Sequence, residues 1–292
     1  PFVRKVTECA YKAGAIYVDV LFSDERLDLI RFENADPQTI TEFPDWMFAR
    51  YEEYFKRSDA RLIVDSTDPD LLNGIDSDLI SKNRKAWAER IDPYFDKYFS
   101  SSNWCVVSTA SPAWSKKIFP DLTVEKAEAK LWESIFKSCR VDTNDPIKAW
   151  HDHVEGLKKY QDYLTAKHYA ALHYAAPGTD LTIGLPEKHI WGSGQFSFKN
   201  GITGVVNMPT EEVFSMAHMN MANGVVKASR PLNYLGVLIE DFSVTFENGR
   251  AVKVTAQKGE SDLRKLIETD ENACRLGEVA LVPNSSPISQ RG

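Results

Sequence analysis

Short apolar runs alternate with helix-length amphipathic stretches through the first half of the chain, a pattern that predicts a parallel α/β sheet. Phe2, Val3, Val6, Ala10 and Ala13 recur at helical spacing and lead into AIYVDVLF (Ala15 to Phe22), a run of strand type. Helices are expected around Glu25 to Asn34 and Pro37 to Arg57, then a strand ARLIVDS (Ala60 to Ser66) and a long helix from about Asp76 to Ser100. A further strand, NWCVVST (Asn103 to Thr109), precedes helices at about Val124 to Cys139 and Asp145 to Lys167. Near His168 the pattern shifts to short alternating runs: ALHYAA, DLTIGL, GVVNMP, DFSVTFENGRAVKVTAQ and EVALV, with one helix at about Ser261 to Glu268. Asn248-Gly249, between Phe242/Val244/Phe246 and Val252/Val254/Ala256, is a strong hairpin signal, because a type I′ turn needs φ > 0 at both central residues.

The expected fold class is α/β, with an N-terminal parallel-sheet α/β domain over residues 1–168 and a β-rich α+β domain over residues 169–292. A helix in a parallel sheet normally follows a strand, since the crossover joins two strands. The helix that opens at Phe2 therefore implies a first strand that is missing, and the chain is expected to be cut short at its start. No low-complexity linker and no internal repeat is visible.

Composition narrows the class. The 292 residues suffice for two cores, and the net charge of −7 lacks the basic stripe that a nucleic-acid partner would need. No apolar run reaches membrane-spanning length, and Cys9, Cys105, Cys139 and Cys274 are far apart without CxxC spacing. A cytoplasmic enzyme is the natural class.

Two blocks carry the chemistry: NMPTEEVF (Asn207 to Phe214) and LGEVALVPNSSPIS (Leu276 to Ser289). Glu212 and Glu278 each adjoin an apolar run, so both look pinned at strand ends near a core, where a carboxylate needs a partner such as a divalent metal. The alternative is that each caps a strand through backbone N–H groups, and on the residues alone that reading is favoured. Glu211 should face away from Glu212 in a strand, which gives it a surface or supporting role by default, with the opposite choice within the pair left open. Glu260, beside Gly259, reads as a helix N-terminal cap. His151 and His153 lie two apart on a helix and cannot share a metal. His168, His173 and His189 read as hydrogen-bonded structural histidines. His218 is close enough in sequence to line a substrate cavity, beside Met219. There is no HExxH and no GxSxG elbow. Gly192-Ser193-Gly194 is a lone GxG, and no glycine fingerprint follows the first-half strands.

These blocks, with Asn223-Gly224, Arg230 to Leu232, Gly236, Ile239-Glu240 and Gly259-Glu260, resemble the thermophilic metalloaminopeptidase family. The likeness extends upstream through His173 to Trp191, Lys130 to Trp132 and Ser66 to Leu72, and so covers nearly the whole chain. It implies a metal-dependent aminopeptidase that releases N-terminal residues from peptides through hydroxide held by two divalent metal ions, zinc, cobalt or similar. It further implies that Glu278 bridges the metals and is catalytic, that Glu212 binds one of them, that residues 169–292 form a partial, incomplete catalytic domain, and that the protein is a homodimer. The family's remaining ligands are expected beyond Gly292, so the chain as it stands is expected to be inactive and to bind metal weakly or not at all. SMAHMNMANG (Ser215 to Gly224) departs from the family in carrying Ala217, Met219 and Met221, and its three methionines, Met216, Met219 and Met221, make an adaptable apolar wall that bears on substrate preference. A peptide- or partner-binding module without catalysis and a nucleotide-dependent transferase or dehydrogenase are the competing classes.

Overall fold

The structure, a computed structural model, describes residues 1–66, 68–234 and 237–290, with the side chains of 96–98 excepted. Thr67 and Gly236, both within stretches that carry the resemblance, lie outside the described residues. The first half runs α1 (Phe2–Lys12), α2 (Glu25–Asn34), α3 (Asp45–Arg57), β1 (Arg61–Asp65), α4 (Ser77–Tyr98), β2 (Trp104–Ser108), α5 (Pro112–Ile118), α6 (Val124–Ser138) and α7 (Pro146–Lys167). Local chemistry sets many of the starts. The side chains of Asp24, Asp76, Ser111, Thr123 and Asp145 accept hydrogen bonds from first-turn N–H groups, and Pro112 and Pro146 occupy the first helical position.

The helix expected over Pro37 to Arg57 is interrupted. Only Pro37–Thr39 forms a 3-10 turn before α3 begins at Asp45. Pro44 explains the break, because it pushes Phe43 out of the helical region. A second correction concerns AIYVDVLF, which forms no strand. Ile16, Tyr17 and Phe22 are exposed, Ile16 completely. A strand exists only where a neighbouring ladder takes its N–H and C=O groups; here the Val18 N–H goes to the Tyr11 hydroxyl at 3.1 Å.

The second half supplies β3 (Ala171–Ala176), β4 (Thr179–Gly184), β5 (Gln195–Ser197), β6 (Thr203–Val205), β7 (Asn207–Met208), β8 (Val213–Met216) and β9 (Ala222–Lys227). It continues with β10 (Leu232–Tyr234), β11 (Val237–Ile239), β12 (Ser243–Glu247), β13 (Arg250–Thr255), α8 (Glu260–Ile267) and β14 (Glu278–Leu281). An antiparallel sheet in the order β13-β12-β9-β4-β3 carries the main core, where Leu181, Ile183, Val244, Phe246, Val254 and Leu263 are buried together. The mixed architecture of a parallel sheet with antiparallel sheets is thus the expected one.

The parallel sheet has the order β1-β2-β7, with Val106 and Val107 of β2 aligned with Asn207 and Met208. Its third strand therefore comes from the second half of the chain, and NMPTEEVF leaves that sheet directly into β8. The hairpin between β12 and β13 turns at Asn248 (φ 49°) and Gly249 (φ 80°), the positive pair that the dipeptide predicts. A register shift between Thr245 and Phe246 changes one face, however. Phe246 pairs with Ala251, and Val252 turns out to solvent instead of joining Val254 inside. Among the described residues no helix is long and apolar enough to cross a membrane.

Candidate active site

Glu212 lies one residue before β8, and Glu278 opens β14, its antiparallel partner. Leu281 pairs with Val213 and Glu278 with Met216, so the two glutamates sit toward opposite ends of the pair. Side chains alternate along a strand. Val213, Ser215 and Val279 turn inward and are buried, which leaves Phe214, Met216, Glu278 and Ala280 on the more open face. Glu212, two positions before Phe214, continues that face.

The two carboxylates differ in setting. Glu212 is half-buried, whereas Glu278 is exposed and not held against the core as its neighbours suggest. The buried position there is Val279, because the strand's alternation assigns the interior to it. Burial first and the Glu278 charge second push the Glu212 carboxyl above its ordinary value. Among the described residues neither carboxylate accepts a hydrogen bond, so the strand-capping alternative finds no bonds to support it. Two unpaired carboxylates that repel one another, one of them partly desolvated, are a hard-oxygen donor set that a divalent cation would neutralise. They fit part of a metal site only, since no group of three or more His, Cys, Asp or Glu side chains converges among the described residues.

Glu211 departs from expectation. It does face away from Glu212, but into the interior, with only 6% of its side chain exposed. Arg140 donates to both its oxygens, at 2.6 and 3.1 Å. His153 Nε2 donates to the Thr210 carbonyl at 2.7 Å and lies 3.6 Å from Glu211 Oε1. Arg140 and His153 thus belong to the surroundings of the site, although nothing local marks them: Arg140 follows α6, and His153 is on α7. Glu260 is corrected as well. Gly259 holds the N-cap position, and Glu260 is the first helical residue, accepting from the Ala256 N–H and pairing with Arg264.

The lone GxG has a packing role. A Cβ on Gly192 would stand 2.7 Å from the Phe214 ring, and one on Gly194 would stand 2.7 Å from the Thr210 side chain. Gly192 and Phe214 exchange backbone hydrogen bonds, and Ser193 donates to Gln161. The candidate substrate residues His218 and Met219 follow β8. His218 is half-buried, with its N–H on the Gly184 carbonyl and its Nδ1 accepting from the Asn220 N–H. Met216, Met219 and Met221 are all exposed, and Met216 lies directly opposite Glu278.

The thermophilic metalloprotease (M29) family profile matches residues 1–292. The chain is 44% identical to aminopeptidase AmpS of Bacillus subtilis (strain 168) over 291 residues, 99% of this chain and 71% of that protein. It is 41% identical to aminopeptidase T of Thermus thermophilus, over all of this chain and 72% of the relative. The solved structure of wild-type AmpT from Thermus thermophilus superposes with a TM-score of 0.91 at 40% identity, covering 100% of this chain and 72% of that one.

Proposed function

Because the chain belongs to the thermophilic metalloprotease family and is an aminopeptidase of that family, we propose that it releases N-terminal residues from peptides at a dinuclear metal centre held in part by Glu212 and Glu278. What carries this reading is the unpaired state of both carboxylates, with Glu212 raised by burial and by Glu278. Metal ions bound there would supply an activated water at neutral pH and polarise the scissile carbonyl. Glu278, exposed at the strand end, would help to hold the metal and serve as the catalytic carboxylate. Glu212, the more buried of the two, would be a second metal-holding carboxylate. Two carboxylates are fewer donors than a zinc or cobalt site needs, so on their own they would hold metal only weakly. His218 and Met219, with Met216, line the space for the substrate's N-terminal side chain. The flexible thioethers of Met216 and Met219 suit apolar side chains of varied shape. The reading also includes a cytoplasmic location, the division at residue 168 and a homodimer.

The test compares the 292-residue chain with a version extended to the length of its relatives, measuring amino acid release from a peptide with and without chelator. The extended protein should be active, chelator-sensitive and restored by zinc or cobalt, and its Glu278→Gln variant should lose activity. Chelator-sensitive cleavage by the 292-residue chain alone, or full activity in Glu278→Gln, would overturn the assignment.

A further inference from the structure

The stretch from Thr210 to Glu212 belongs to no strand, although it lies between β7 in the parallel sheet and β8. Its geometry is set from outside by two elements far away in sequence. Arg140 follows α6 in the left-handed region (φ 54°), and its side chain reaches back to the helix end. There the guanidinium donates to the Ser138 carbonyl at 2.9 Å as well as to both Glu211 oxygens, a planar fork matched to a carboxylate. Its side chain is 17% exposed. Trp150 of α7 locks the arrangement: its indole N–H donates to the Cys139 carbonyl at 2.6 Å, and its ring packs edge-on against His153 at 5.6 Å. His153 in turn holds the Thr210 carbonyl.

Burial alternates along this stretch as it does in a strand, with Glu211 and Val213 buried and Glu212 half-buried between them. Glu211 clamped inward therefore forces Glu212 outward, onto the face it shares with Glu278. We propose that Arg140, acting through Glu211 and assisted by His153, is a positioning residue that aims the Glu212 carboxylate at the metal. This rests on the reading of Glu212 as a ligand. A carboxylate ligand held by its own backbone loses affinity when that backbone can wander, and outer partners of metal ligands typically account for about 10–100-fold in affinity.

The test is a cobalt(II) titration of the length-extended protein followed by visible absorption, alongside thermal unfolding of the metal-free form. Arg140→Met should weaken cobalt binding at least tenfold, and Arg140→Lys should fall between, because an ammonium cannot form the two-pronged contact. His153→Phe, which keeps the ring packing but cannot donate to Thr210, should weaken binding several-fold, and His153→Gln should restore part of it. Leu131→Ala, in the buried face of α6, is the control for general destabilisation. Cobalt affinity in Arg140→Lys and His153→Phe within twofold of the parent, or losses no larger than in Leu131→Ala at equal loss of melting temperature, would overturn the proposal. Glu212→Gln separates the two levels: if it binds cobalt as the parent does, the ligand reading itself falls. If it loses binding while the Arg140 and His153 variants do not, only the positioning role falls.

Discussion

At the scale of single residues, the Arg140–Glu211 pair carries a large energetic stake, because Glu211 is buried and Arg140 nearly so. Taking one member away leaves the other as an uncompensated interior charge, a loss of about 3–5 kcal/mol for pairs of this kind. Arg140→Met should therefore lower the denaturant midpoint markedly, by roughly 3 kcal/mol or more in unfolding free energy. Paired replacement of Arg140 and Glu211 by apolar residues should recover much of that stability, as an apolar core needs no counter-charge. The cysteines give a second test. Burial pushes the Cys139 thiol up to about 11, whereas Cys9 is exposed. Iodoacetamide at pH 8 should alkylate Cys9 long before Cys139. An unfolded thiol loses its proton near pH 8.5, so the unfolded state gains on the native one only above that pH. The Cys139 contribution is constant below it and erodes as pH climbs toward about 11. Cys139→Ala should flatten that part of the alkaline limb in a pH series of melting temperatures.

Among the elements, the β12–β13 hairpin shows local chemistry deciding structure. Gly249 sits at φ 80°, and a Cβ there would lie 2.0 Å from the Met219 carbonyl oxygen. The turn is thus constrained twice, by its own dihedrals and by the loop carrying His218 and Met219. Gly249→Ala should cost more than about 1 kcal/mol in urea unfolding, and a smaller loss would mean that the loop yields. Legibility from sequence follows the same line. Helices with polar caps and a glycine-directed turn are specified by neighbouring residues, so α2, α6, α7 and this hairpin appear where periodicity predicts them. AIYVDVLF has equally strong strand character but no ladder to join, and the bulge at Thr245/Phe246 depends on how β12 is shared between two neighbours, β13 and β9.

At the scale of the molecule, the parallel sheet draws β7 from the far half of the chain, which ties the candidate site to both halves. The stretch from β7 into β8 leaves that sheet with Glu211 held by α6 and α7, and Glu212 turned toward β14. Exposed apolar side chains of the second half that are not assigned to the substrate, Ile202 and Val252 among them, suit a covered surface in an assembled protein. Light scattering on the length-extended protein at micromolar concentration should give the mass of a dimer. A monomer under those conditions would count against the homodimer.

The sequence by itself determined the family, the alternation of elements and the two carboxylates at the ends of apolar runs, because each of these is written in contiguous residues. Only the tertiary structure decided which side of its segment each glutamate takes. Glu211 and Glu212 are adjacent and chemically identical, and what separates them is Arg140, 71 positions away. A buried charge must find its counter-charge wherever the chain brings one, and that pairing has no signature in the neighbouring residues.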